Sequence, residues 1–210
     1  MTEAVIVATA RSPIGRAMKG SLVDLRPDDM SAQIVRALME KVPEVQPDDV
    51  EDLIMGCGQP AGEAGFNIGR MVAGLAGLDD VPGVTVNRYC SSSLQTIRMA
   101  AHAIKAGEGD CFIAAGVEAV SRYGSGASDT APNPIFKEAG ERTAARAEGG
   151  QPPWTAPDGL PDFYIAMGQT AENVRECENV SRQEMDEFGA LSQQRAVAAV
   201  ERGHFDAEIT

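Results

Sequence analysis

The sequence predicts an α/β domain built around a mostly parallel sheet, and three observations carry that prediction. Short β-rich apolar runs alternate with segments of helical period through the first half of the chain. Those runs are continuously apolar, so the strands need cover on both faces. The segments between them are long enough to hold crossover helices, which parallel neighbours require.

Taken in order, "EAVIVATA" (Glu3–Ala10) is short and β-rich and predicts a first strand. "PDDMSAQIVRALMEKV" predicts a helix with Asp28 or Asp29 as N-cap and Met30, Ile34 and Leu38 along one face. "VEDLIMGCG" reads as a strand ending in glycines, "NIGRMVAGLAGL" as a short, tightly packed helix, and "GVTVN" as a further strand. Ser91–Lys105 predicts a long helix with Leu94, Ile97, Ala101 and Ile104 on one face, closed by Lys105 and Gly107. "CFIAAGVE" is a small-residue strand. After Ser121 the chain becomes rich in Gly, Pro, Ala and charge, with no sustained period. It still carries Phe136, Trp154, Phe163 and Tyr164, so it reads as a long ordered excursion. Helices resume with "GQTAENVRECEN" and "SRQEMDEFGALSQQRAVAAVERG". Ser181 and Glu184 make a capping box, Met185, Phe188 and Leu191 a stripe for burial, and Gly203 a stop. The closing "HFDAEIT" starts an extended segment without a partner, as though the sequence stopped in mid-domain.

Composition excludes several classes of function. The 210 residues are 43% hydrophobic and 23% charged, enough for a substantial core. The net charge of −13 argues against a nucleic-acid surface or an anionic membrane as partner, since both need clustered Lys and Arg. The N-terminal residues lack the basic and apolar regions of a signal peptide, and no apolar run reaches the length needed to span a bilayer. Cys57, Cys90, Cys111 and Cys177 form no CxxC pair and no regular spacing with histidines, so neither a metal site nor a disulfide scaffold is expected. A reducing cytoplasm is the expected setting.

Cys90 is the one cysteine in a chemically suggestive place. It sits between a β-branched run and a helix start, where unpaired backbone N–H groups and the helix dipole stabilise a thiolate. The same N–H groups can hold an oxyanion, and Ser91, Ser92 and Ser93 leave room for substrate. The competing reading is a small buried hydrophobe, the usual fate of a free cysteine. Cys57, Cys111 and Cys177 read as core or surface residues. A base is not evident: His102 lies 12 residues along the same helix, so about 18 Å away, and His204 has no sequence tie to Cys90.

The stretch "VNRYCSSSLQTIRMAAHAI" (Val86–Ile104) resembles the acyl-enzyme pattern of the thiolase family. "AAGVEAVSR" is similar to the family's segment after the nucleophile helix, and "AVIVATARSPIGR" and "GQPAGEAGFNIGR" match as well. The run from "DFYIAMGQTAEN" to the end resembles the loop-domain signature. The likeness covers nearly the whole chain in the correct order.

The resemblance implies a thiolase-like layered fold, with residues 1–121 as the N-terminal core domain and 122–210 as the start of a substrate-covering loop domain. The C-terminal catalytic domain is expected to be absent. Cys90 matches the residue that thiolases acylate, its backbone N–H contributing to an oxyanion hole. Met167 matches a methionine lining the acyl and pantetheine pocket. Ala166 stands where many biosynthetic acetoacetyl-CoA thiolases have histidine, which favours a degradative 3-ketoacyl-CoA thiolase; Ser93 stands where many members have glycine. The implied reaction is thiolytic cleavage of 3-ketoacyl-CoA to acyl-CoA and acetyl-CoA, or the reverse Claisen condensation. CoA serves as substrate carrier, with no metal or redox cofactor. The implied partners are acyl-CoA and further copies of the chain, as a homodimer or homotetramer, in fatty acid metabolism. The family's Gly-His-Pro histidine, second cysteine and Asn-Glu segment do not occur here, so the 210 residues alone are expected to be inactive. Two alternatives remain: a non-catalytic acyl-CoA-binding or partner-association module, and a ketoacyl synthase-like condensing enzyme.

Overall fold

A computed structural model describes residues 3–149 and 151–210, which divide into two compact units. The first unit, Met1–Ser128 with Phe205–Thr210, is built on a parallel sheet. Its central strand β1 (Asp52–Gly56) is flanked by β2 (Gly83–Val86) on one side and β3 (Phe112–Gly116) on the other. Three helices belong to it: α1 (Pro27–Glu40), α2 (Ile68–Leu75) between β1 and β2, and α3 (Ser92–Ala106) between β2 and β3. Leu53, Ile54 and Met55 are all buried, although neighbouring strand residues point to opposite faces. β1 is therefore covered on both sides, as its continuous apolar run requires.

The two faces are filled differently. Leu53, Met55 and Cys57 pack with Ile68, Val72, Val35 and Ile113 in the main apolar cluster. On the other face a Cβ built at Gly56 would lie 2.6 Å from the Ser92 carbonyl carbon and 2.8 Å from the Ser93 nitrogen. The start of α3 thus rests directly on the strand, and only a residue without a side chain permits that approach. Small residues serve the helix side as well: Ser92, Thr96 and Ala100 are the buried positions, with the Thr96 hydroxyl donating to the Ala115 carbonyl at 3.1 Å.

Four sequence expectations are corrected here. Glu3–Ala10 forms no strand among the described residues, although β2 and β3 each keep an outer edge unpaired in the sheet, and Val5 is left 72% exposed. Among the described residues an isolated bridge next to it joins Arg11 to Ile209. In α1 the N-cap is Arg26, because Pro27 at the first helical position sets the start, and both Asp28 and Asp29 fall within the first turn. Its expected face holds, since Met30 and Leu38 are half-buried against the same core that takes up Val35, with Ser31 and Ala32 buried beside them. In α3 the expected face is only partly covered, with Leu94 and Ile97 exposed and Ala101 and Ile104 half-buried, because close helix–strand approach favours the small residues Ser92, Thr96 and Ala100 for full burial.

The second unit, Asp129–His204, is helical. It contains α4 (Lys137–Ala147), which the sequence pattern did not reveal, then α5 (Met167–Cys177) and α6 (Arg182–Glu201). The excursion is ordered around its aromatic residues: the Phe136 ring lies 5.1 Å from Phe163 and 5.5 Å, edge-on, from Tyr164. Asn173, buried in α5, accepts from Arg146 at 3.2 Å, and Arg146 also pairs with Glu176 at 2.7 Å. The capping box forms as expected: Ser181 Oγ accepts the Glu184 N–H at 3.2 Å, and Glu184 Oε2 accepts the Ser181 N–H at 2.8 Å. Gly203 adopts φ +68° past the helix end. The α6 stripe is the fourth correction: Phe188 and Leu191 are exposed and Met185 only half-buried, so the stripe is at most partly covered among the described residues. Among the described residues no helix is long and apolar enough to cross a membrane.

Asp52, at the head of β1, marks a weak point. Its Oδ1 is buried with no hydrogen-bond partner among the described residues. Burial pushes its carboxyl up, and the Leu53 N–H offsets this only in part. A group whose folded-state pKa is raised holds its proton better folded than unfolded, so its charge weighs against folding at neutral pH. Asp52→Asn is expected to stabilise the fold at neutral pH by about 0.5–1 kcal/mol. The gain should vanish as pH falls through the carboxylate range and Asp52 protonates. Thermal melts of both proteins across that range read the difference; a destabilised variant at neutral pH contradicts the assignment.

Candidate active site

The C-terminal ends of the three parallel strands gather the chemically able residues of the first unit, the place where open α/β sheets bind ligands. Cys57 and Gly58 follow β1, Asn87 to Ser91 follow β2, and Val117 to Ala119 follow β3. A shallow cleft of about 280 Å³ opens there, lined in part by Cys57, Glu63, Glu118, Arg122 and Tyr123.

Cys90 occupies a tight helical turn, Tyr89–Ser91, that leads directly into α3. Its thiol is exposed, which removes the buried-hydrophobe reading of this cysteine. The turn is held by its own side chains. Asn87 Oδ1 accepts the Tyr89 N–H at 2.8 Å, while Asn87 Nδ2 donates to the Gly58 carbonyl at 3.0 Å. Ser92 Oγ accepts the Arg88 N–H at 2.9 Å and donates to the Tyr89 carbonyl at 2.6 Å. The three serines therefore part company: Ser92 is buried in the structure of the turn, and Ser91 and Ser93 are exposed.

The other thiols are less able. Burial pushes Cys57 up, with the Glu118 carboxylate adding to the effect. Burial also raises Cys111, helped by Asp49 and Glu51. Cys177 is exposed on α5 in the second unit. His102 is exposed on α3, and His204 is exposed in the second unit. Met167 opens α5 with its side chain 68% exposed, so it is not a core residue of its unit.

The carboxylates around the cleft divide into two kinds. Glu63 takes two hydrogen bonds from Arg122, and these, with Arg26 at 3.3 Å, hold it below the usual carboxylate range against the opposing effects of burial and of the Asp28 carboxylate. For Asp28 burial works upward, but the Arg26 bonds at 3.0 and 2.7 Å and the Asp29 N–H outweigh it and hold the carboxyl low. Both stay ionised and committed to arginine, which makes them structural clamps and not proton carriers. Among the described residues Glu118 has no arginine partner; it accepts the Gly58 N–H at 2.8 Å and the Tyr123 hydroxyl at 3.0 Å. Among the described residues no group of three His, Cys, Asp or Glu side chains is placed to hold a metal ion.

The arrangement presents an accessible sulfur at a helix start, which suits attack on an electrophilic carbon; Cys90 itself does not line the cleft, to which it is joined through Gly58 and Glu118. Sequence reasoning singled out Cys90 but missed the bracing roles of Asn87 and Glu118, and it took Ser92 for a residue leaving room for substrate where it is buried in the turn. The available signal was the glycine of "GCG", which permits backbone approach, and the Asn and Ser flanking the cysteine, both common in turns.

Comparison with known proteins places these residues in context. Residues 4–210 match the family model described as thiolase, N-terminal domain. The whole chain aligns with a 3-ketoacyl-CoA thiolase of Bacillus subtilis (strain 168), 40% identical over 210 residues and covering 48% of that protein. It aligns likewise with a β-ketoadipyl-CoA thiolase of Acinetobacter baylyi, 44% identical over 212 residues and covering 51% of it. A 3-ketoacyl-CoA thiolase of Aeromonas hydrophila is 37% identical, with 49% of its length covered. The chain spans about half the length of the curated relatives it matches.

Proposed function

Since the chain belongs to the thiolase family through its N-terminal domain, we propose that it carries the nucleophile half of a thiolase-type acyltransferase site, with Cys90 as the acylated residue. The carrying observation is the exposed Cys90 thiol in a side-chain-braced turn at the start of α3. The Cys90 thiolate attacks the keto carbon of a 3-ketoacyl-CoA, and the carbon–carbon bond breaks to leave an acyl-cysteine and the carbanion of acetyl-CoA, which takes up a proton. The thiol of free CoA then displaces the acyl group and restores Cys90; the reverse sequence is Claisen condensation. The Cys90 N–H at the head of the helix serves the oxyanion. Met167 is proposed to line the acyl and pantetheine pocket, which the exposure of its side chain permits.

The domain reading goes with this: residues 1–121 the core domain, 122–210 the start of the loop domain, and the remaining catalytic groups in a C-terminal half outside these residues. The protein is proposed to work on acyl-CoA in fatty acid metabolism in the cytoplasm, as a homodimer or homotetramer, without metal or redox cofactor. Alone, the 210 residues are expected to show little or no thiolytic turnover, since the family's base and second cysteine do not occur in the sequence.

Iodoacetamide labelling tests the nucleophile. Cys90 is expected to label first, the exposed Cys177 next, and Cys57 and Cys111 slowest, because burial raises both. Peptide mass spectrometry gives the order. Equal rates at Cys90 and Cys177 would leave Cys90 an ordinary exposed thiol.

A further inference from the structure

Three strand ends meet beside Cys90, and two side chains tie them together. Glu118, past the end of β3, accepts the Gly58 N–H at 2.8 Å and the Tyr123 hydroxyl at 3.0 Å. Gly58, past the end of β1, gives its carbonyl to Asn87 Nδ2 at 3.0 Å. Asn87, just past β2, accepts the Tyr89 N–H at 2.8 Å. Both polar groups of the Gly58 backbone are engaged, one by each side chain. A Cβ at Gly58 would lie 2.8 Å from Glu118 Oε2 and 3.5 Å from Tyr89 Cα, so the clamp closes over a glycine.

Tyr89 is what the clamp restrains. Its φ of +45° lies in the left-handed region, where a bulky residue is an outlier. Such a conformation persists only where its surroundings over-determine it. Asn87 holds its N–H, and the Ser92 hydroxyl holds its carbonyl at 2.6 Å. Cys90 is the next residue, so the direction of its sulfur follows from this strained step.

On the reading of Cys90 as the acyl-accepting nucleophile, we infer that Glu118 is a positioning residue for it, acting through Gly58 and Asn87 on the Tyr89 turn. Glu118 does not reach the reacting atoms in this role. It fixes the anchor from which Asn87 holds the turn.

The test uses the 210-residue chain and p-nitrophenyl acetate. The Cys90 thiolate attacks the acetyl carbon, the sulfur–carbon bond forms and p-nitrophenolate leaves, so its colour and the mass of the acetylated peptide report the same event. Glu118→Ala is expected to slow Cys90 acylation about tenfold, since small misplacements of a reacting group are costly. Glu118→Gln, whose amide oxygen still accepts the Gly58 N–H, should stay within about twofold of the parent. In a Tyr89→Gly background the left-handed step is free of strain, so removing Glu118 should cost less than about twofold. Labelling of Cys177 serves as the internal standard. Parent-like acylation in Glu118→Ala, equal loss in Glu118→Gln, or an undiminished effect beside Tyr89→Gly would each overturn the inference while leaving the nucleophile in place. Should the parent acylate Cys90 no faster than Cys177, the nucleophile assignment fails and this inference with it.

Discussion

Replacing Cys90 by alanine is expected to abolish stoichiometric acylation of the chain by p-nitrophenyl acetate, a loss of about 10²-fold or more in the initial rate. The reason is the combination of access and placement. Cys90 is exposed at a helix start, Cys57 and Cys111 are shielded and raised by burial, and Cys177 lies on a different unit. Alanine removes the sulfur without altering the Asn87 and Ser92 bonds that hold the turn, since neither involves the Cys90 side chain. Melting should therefore be nearly unchanged. Cys90→Ser keeps the shape but exchanges a thiol for a hydroxyl that is far less ionised, so it should fail almost as completely. An Ala variant that still forms one equivalent of acyl-protein would place the nucleophile elsewhere.

The second large effect is at Gly56. Its missing side chain lets the first turn of α3 rest on β1, and a Cβ there would meet backbone atoms at 2.6 and 2.8 Å. Backbone cannot rotate away as a side chain can, so the helix must shift. Gly56→Ala is expected to cost about 2–3 kcal/mol, the upper part of the usual range for overpacking. It should also slow Cys90 acylation about tenfold, because the displaced element carries the nucleophile. Gly74→Ala in α2 is the control with the opposite sign. Its Cβ would meet only the end of the Arg70 side chain at 3.8 Å, so helix propensity should make it stabilising by about 0.5–1 kcal/mol. Urea unfolding reads both, and a Gly56→Ala protein as stable as the parent would contradict the close packing of α3 on β1.

Asp52 and Glu118 show how differently two carboxylates of one small sheet are used. Asp52 is trapped at a strand head with an unpartnered oxygen, and removing its charge helps the fold. Glu118, past a strand end, is spent on the Gly58 N–H and the Tyr123 hydroxyl. Neither role is visible in the local sequence, where each is an acidic residue at the border of an apolar run.

Local sequence determined the elements whose signal is carried by neighbours in the chain. The three paired strands, the helices α1, α2, α3, α5 and α6, the Ser181–Glu184 capping box and the glycine stops follow from period, capping and backbone freedom, which act within a few residues. The order of residues in "NRYCSSSLQ" likewise places a thiol at a helix start. What needed the tertiary structure were the facts that depend on partners distant in sequence. Glu3–Ala10 has the composition of a strand, but a strand requires a neighbour for its ladder, and among the described residues it pairs with none. The faces of α3 and α6 could not be read from apolar spacing alone. In α3, approach to a glycine on β1 selected Ser92, Thr96 and Ala100 for burial and left Leu94 outside. In α6 Phe188 is left 68% exposed among the described residues. The brace around Cys90 joins positions 58, 87 and 118, and hydrogen bonds across such separations exist only once the sheet has brought the three strand ends together.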